Sequence, residues 1–106
     1  MKNLERKVKY KIVFERKARK ELRTIPQNFK DKINKTLVIV STDPYYGKKL
    51  EGKLKDHYSF RVWPYRVIYI IEKEQKSIII LHVAHRQGVY GLLRDGDEED
   101  YITIKN

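Results

Sequence analysis

Residues 58–85 read YSFRVWPYRVIYIIEKEQKSIIILHVAH, and this run decides the fold. Three stretches rich in β-branched and aromatic residues are separated by Trp63-Pro64 and by the turn-like Lys73-Glu74-Gln75-Lys76. Strand side chains alternate between faces. Residues 58–63 therefore set Tyr58, Phe60 and Val62 against Ser59, Arg61 and Trp63. Residues 65–72 set Tyr65, Val67, Tyr69 and Ile71 against Arg66, Ile68, Ile70 and Glu72. Residues 77–85 form a strongly apolar third strand with Ile78, Ile79, Ile80, Leu81 and Val83. The pattern predicts an antiparallel meander, and its parity gathers Arg61 and Arg66 on one face, joined by Arg86 just beyond. Three guanidiniums on one sheet face are not core residues. They repel one another unless an anion sits between them, and the rigid arginine fork matches phosphate oxygens.

Working outward, VKYKIVFE at residues 8–15 reads as a strand, with Lys9 and Lys11 on one side and Tyr10, Ile12 and Phe14 on the other. Ala18, Leu22 and Ile25 then recur at helical spacing. Pro26 breaks that pattern, and Phe29, Ile33, Leu37 and Val40 begin a second one that ends near Ser41-Thr42-Asp43-Pro44. Two helices broken at a proline predict an αα-hairpin. Residues 43–57, DPYYGKKLEGKLKDH, read as a loop made basic by Lys48, Lys49, Lys53 and Lys55. The class is α+β: an N-terminal strand, a two-helix hairpin, and a three-strand meander forming one small sheet packed on the helices. Past Tyr90, Gly91–Arg94 reads as a turn or short helix, Asp95–Asp100 as an acidic loop, and Tyr101–Ile104 as a short extra strand.

A length of 106 residues fits one domain, residues 1–106, with a core over about 8–90 and an acidic extension over 91–106. Cysteine is absent, which removes disulfides, thiolate metal sites and a cysteine nucleophile. No apolar run reaches membrane-spanning length, and the charged N-terminus lacks the apolar core of a signal peptide, so a cytoplasmic location is expected. Lys and Arg number 24 against 14 Asp and Glu, a net charge of +10. The excess sits in residues 1–55, with 17 basic and 6 acidic residues, whereas residues 96–106 hold 1 and 4. Such a surface favours a polyanion or an acidic protein partner; a lysine-rich solvated surface is the plainer reading.

The order of elements, together with Asp43-Pro44, Lys49-Leu50-Glu51-Gly52, Phe60-Arg61-Val62, Tyr65-Arg66-Val67-Ile68-Tyr69 and His85-Arg86-Gln87-Gly88-Val89-Tyr90, resembles the RelE/ParE toxin superfamily over roughly residues 8–90. The resemblance implies the toxin of a type II toxin–antitoxin pair, neutralised by a cognate acidic antitoxin. RelE-like members cut mRNA in the ribosomal A site, whereas ParE-like members poison DNA gyrase without nuclease activity. Arg61, Arg66 and Arg86 fall where the RNases carry basic residues, and Tyr90 matches their C-terminal tyrosine. Three features depart from the pattern. Ser59 stands where lysine is frequent, Trp63-Pro64 replaces the usual turn, and the acidic segment from Asp95 has no counterpart.

RNA carries its own nucleophile, the 2′-OH, so cleavage to a 2′,3′-cyclic phosphate needs no metal or cofactor. It needs a proton acceptor, charge stabilisation of the phosphorane, and protonation of the leaving 5′ oxygen. Arg61 and Arg66 are assigned to the phosphate, Arg86 to charge near the leaving oxygen, and Tyr90 to the proton. His85 is the alternative base, with an intrinsic pKa better suited to neutral pH. Parity places it with Ile79, Leu81 and Val83 on the core side, while Arg86 shares its phase with His82 and Ala84. Lys49, Lys53 and Lys55 are expected to grip the RNA backbone, and Trp63 to stack on a base. Tyr65 and Tyr69 read as core aromatics and His57 as solvated. The expected function is a metal-independent mRNA endoribonuclease acting on the ribosome. The alternatives are a gyrase inhibitor and a degenerate member that only binds antitoxin or RNA.

Overall fold

A computed structural model describes residues 9–54 and 56–85. In chain order these form β1 (Lys11–Phe14), α1 (Arg16–Arg23), α2 (Gln27–Thr42), β2 (Lys48–Lys49), β3 (Tyr58–Val62), β4 (Tyr65–Glu72) and β5 (Ser77–His85). One sheet runs in the order β1-β5-β4-β3-β2. The expected meander is present, β3 antiparallel to β4 and β4 to β5, and β1 adds to it in parallel beside β5. No helix among the described residues is long and apolar enough to cross a membrane.

The helix stripes do what their spacing predicts. Ala18, Ile25, Ile33, Leu37 and Val40 are buried against Phe60, Val67, Tyr69, Ile78, Ile80 and Val83. Pro26 serves as the α2 N-cap, where its missing N–H costs no helical hydrogen bond. The parallel β1–β5 register sets Ile12 beside Ile78 and Phe14 beside Ile80, so β1 adds its apolar side to the same core.

Two expectations are corrected. The β4–β5 register steps from Ile68↔His82 to Tyr69↔Ile80, leaving Leu81 unmatched in a bulge. One extra residue reverses strand phase. Ile78 and Ile80 before the bulge and Val83 after it therefore meet the helices, whereas simple alternation had grouped Ile79 and Leu81 with Val83. The second correction concerns residues 43–57, which are more than a solvated loop. They contain 3₁₀ turns at Pro44–Tyr46 and Gly52–Leu54 and the edge strand β2. Leu50 is buried, and with Ile68 it forms a small second core, joined by Leu54 and Ala84, on the face away from the helices.

The sheet edge is closed where β1 stops. The Glu15 N–H donates to the Ile80 carbonyl at 3.0 Å, the last such bond before β1 gives way to α1. Beyond it Glu21 of α1 takes over, its Oε1 accepting the Val83 N–H at 2.8 Å. Its Oε2 lies 3.9 Å from His82 Nδ1. His57, expected to be solvated, is half-buried, and its Nδ1, like that of His82, is buried without a hydrogen-bond partner among the described residues. Burial is the main force lowering both histidine pKa values, against the opposing charges of Asp56 at His57 and Glu21 at His82.

Tyr69 ties the loop to the sheet. Its ring is fully buried, and its hydroxyl accepts the Gly47 N–H at 2.9 Å and donates to the Pro44 carbonyl at 2.7 Å. Burial, the leading cause, pushes the phenol up to about 12. Gly47 is required by this approach, because a Cβ there would lie 2.8 Å from the Tyr69 hydroxyl and 2.7 Å from the Ser59 carbonyl oxygen.

Two measurements check this framework. Tyr69→Phe leaves one N–H and one carbonyl without their partner, and should lower unfolding free energy by about 1–3 kcal/mol in urea titrations. Both histidines bind protons more weakly folded than unfolded, so their contribution is intact above the unfolded value of 6.5 and is lost as pH falls below it. The urea midpoint should therefore drop between neutral pH and pH about 5, and His57→Gln with His82→Gln should flatten that slope. An unchanged slope would contradict the account.

Candidate functional site

The β3–β4 hairpin places Arg61 directly opposite Arg66. Like charges in that relation destabilise an antiparallel pair by a few tenths to about 1 kcal/mol. The two are not equivalent. Arg61 is exposed, whereas Arg66 is only 3% exposed, a burial that the solvated-face expectation did not foresee. Next along β3, Ser59 pairs with Lys48 of β2, so Ser59, Arg61, Arg66 and Lys48 share the sheet face away from the helices. Tyr46 and Gly47 complete the rim. Together with Phe60, these residues line a cleft of about 350 Å³ that has no carboxylate among its described lining residues.

Two guanidiniums, an ammonium and a hydroxyl thus converge on one concavity. This cationic, donor-rich set suits a phosphate, because each charge-assisted bond is roughly twice as strong as a neutral one. The half-exposed Tyr46 ring at the rim can stack on a base. No group of three or more acidic, histidine or cysteine side chains fit to hold a metal ion occurs among the described residues.

The other expected site residues divide. Lys49 pairs with Tyr58, so it leaves β2 on the opposite face and lines a different cleft. Lys48 takes the place beside the arginines. Lys53 is exposed in the Gly52–Leu54 turn, and Trp63, 55% exposed, stands in the β3–β4 connection with a cis Trp63–Pro64 peptide. Neither lines the arginine cleft. His85 pairs with Tyr65 and meets its ring edge-on at 5.7 Å. It therefore stands on the opposite face from Arg66, at the exposed end of β5. Arg86, Tyr90, Lys55 and the segment 91–106 lie outside the described residues.

Lys48 and Tyr46 were missed because residues 43–57 read as loop, and a loop has no parity. The signal available was the Lys48-Lys49 doublet, which an edge strand must split between its faces.

If the cleft takes phosphate, occupancy should relieve the Arg61–Arg66 repulsion. Inorganic phosphate is expected to raise the melting temperature of the wild type. Arg61→Ser should lose the phosphate response. A melt in which the variant responds like the wild type would remove the cleft from consideration.

The family model for the ParE toxin of type II toxin–antitoxin systems matches residues 12–90. Among solved structures, a chain of the toxin–antitoxin complex RelBE2 from Mycobacterium tuberculosis is 31% identical, with 74% of this chain and 100% of that one covered and a TM-score of 0.68. The archaeal RelE–RelB complex from Pyrococcus horikoshii gives 27% identity over 74% of this chain and 96% of that one, with a TM-score of 0.64. Isolated E. coli RelE toxin, at 24% identity over 79% and 99%, shares the fold with a TM-score of 0.66. Comparison with curated proteins finds no match.

Proposed function

The chain belongs to the RelE/ParE toxins of type II toxin–antitoxin systems, and on that premise we propose that it is a metal-independent endoribonuclease that cleaves mRNA on the ribosome. The observation that carries this reading is the cleft in which Arg61, Arg66, Lys48 and Ser59 converge. Among its described lining residues this concavity holds two opposed arginines and no carboxylate, a set that supports binding of a phosphodiester. RNA supplies the nucleophile. The 2′ oxygen forms a bond to the adjacent phosphorus, its proton passes to a base, and the bond from phosphorus to the 5′ oxygen breaks. That oxygen leaves as a hydroxyl once protonated, and a 2′,3′-cyclic phosphate remains.

In this scheme Arg61 and Arg66 bind the non-bridging oxygens, and their charge counts for most when the phosphorane forms. Lys48 neutralises a neighbouring phosphate. Ser59, buried in the cleft wall at the position where lysine is frequent, donates a neutral hydrogen bond. Tyr90 takes the 2′ proton and Arg86 stabilises the leaving oxygen, roles that rest on the resemblance. The opposite-face position of His85 supports that choice of base over the histidine. The protein acts in the cytoplasm, and a cognate acidic antitoxin complements its basic surface; the similar structures from M. tuberculosis and P. horikoshii are toxin–antitoxin complexes.

The reading is tested by primer extension on translated mRNA during expression. Wild type should generate new 5′ ends, and Arg61→Ala should reduce their rate of appearance by about 10²–10³-fold, the loss typical of one charge-stabilising group. Toxicity without cleavage would overturn it. The ParE name of the matching model favours one second reading, a gyrase inhibitor. Loss of supercoiling activity with intact mRNA would select that one.

A further inference from the structure

Lys48 and Lys49 are the whole of β2, the last strand of the sheet. Consecutive strand residues leave on opposite faces. Lys48 enters the arginine cleft, and Lys49 enters a second cleft of about 480 Å³, lined also by Tyr45, Asp56, Tyr58, Ile71 and Lys73. Tyr46 and Tyr45 divide in the same way. Each face of the edge therefore carries one lysine and one tyrosine from the same short segment.

The second cleft has a firm aromatic wall. Tyr58 stacks on the buried Tyr69 at 5.7 Å and 21°. Tyr45 stands edge-on to Tyr58 at 5.6 Å and 74°. Lys73 Nζ lies 5.8 Å from the Tyr45 ring centroid. A cluster built only for packing would bury its outermost ring, yet Tyr45 is 51% exposed. A half-exposed ring beside two ammoniums, with Asp56 the single carboxylate among the described lining residues, matches single-stranded nucleic acid: the ring receives a base and the lysines receive phosphates.

We propose that the Tyr45–Tyr58 cleft is a second subsite for the same RNA strand, so that the strand crosses the β2 edge from the arginines to Lys49 and Lys73. This rests on the RNA reading of the arginine cleft. Continuity across a single edge strand is what favours RNA over an acidic peptide here. The subsite takes flanking nucleotides and plays no part in the chemical step.

Fluorescence anisotropy with labelled, uncleavable 2′-O-methyl oligoribonucleotides tests it on the full chain. The probes are a trinucleotide and an oligonucleotide of about nine nucleotides. Tyr45→Ala and Lys49→Gln with Lys73→Gln should each weaken the longer probe about 10-fold and leave the trinucleotide unchanged. The lysine pair should also lower the salt slope by about 1.4. Tyr45→Phe, which keeps the ring, should bind like wild type and guards against a folding artefact. Arg61→Ala should weaken both probes. If Arg61→Ala binds weakly while the Tyr45 and lysine variants bind like wild type, the subsite is refuted and the arginine cleft stands. If wild type binds neither probe, the RNA reading fails, and the subsite with it. Unchanged RNA binding with lost antitoxin affinity in the same variants would assign the cleft to a protein partner and overturn the proposal.

Discussion

The hydroxyl of Tyr69 is the contact on which the functional half of this fold depends. Tyr69 sits in the middle of the central strand, with its ring in the core and its oxygen bonded to both Pro44 and Gly47. Those two bonds bring a lysine-rich, turn-forming segment against the sheet, where β2 can pair with β3. Without β2, Lys48 would have no fixed relation to Arg61 and Arg66. The same ring supports Tyr58 by stacking, and Tyr58 supports Tyr45. One side chain thus sets the edge of the sheet and the geometry of both clefts beside it. Gly47 permits this because there is no room for a Cβ between the Tyr69 hydroxyl and the Ser59 carbonyl.

The bulge at Leu81 is the second structural decision. It changes the phase of β5 between Ile80 and Val83 while keeping both in the core. A bulge increases local twist and bends its strand. Here it coincides with the point where β1 ends and Glu21 accepts the Val83 N–H. The carboxylate does for the exposed edge what another strand would do, and a charged cover of this kind also discourages pairing with a second chain.

Much of this was legible in the sequence. Period-two alternation placed β3 and β4, and the helical stripes named Ala18, Ile33, Leu37 and Val40 as core. Arg61 and Arg66 were rightly set on one face, because their short hairpin leaves no place for a register error to accumulate. The bulge was invisible, since four successive apolar residues, Ile78–Leu81, offer no polar mark of phase. Burial of Arg66 and of Leu50 was also hidden. For Leu50 this follows from its packing with Ile68 on the second sheet face, a tertiary contact that local composition argued against. Lys49 was expected to grip the RNA backbone with no face given, because a loop reading assigns none.

The opposed arginines carry the last step. Two cations directly opposite in an antiparallel pair repel, in general by a few tenths to about 1 kcal/mol. Hydrogen bonds to a charged group contribute about 1.5–3 kcal/mol each, so a single phosphate bound by both guanidiniums more than offsets the repulsion. In the proposed RNA reading, a phosphate bound between the two guanidiniums lowers their repulsion, and most when its charge is greatest. That is the condition of a phosphorane, not of a resting phosphodiester. Burial of Arg66 strengthens the effect, because a guanidinium held by its surroundings needs little reorganisation as charge develops. A surface lysine patch, by contrast, would bind both states about equally and would contribute affinity without selectivity for the transition state.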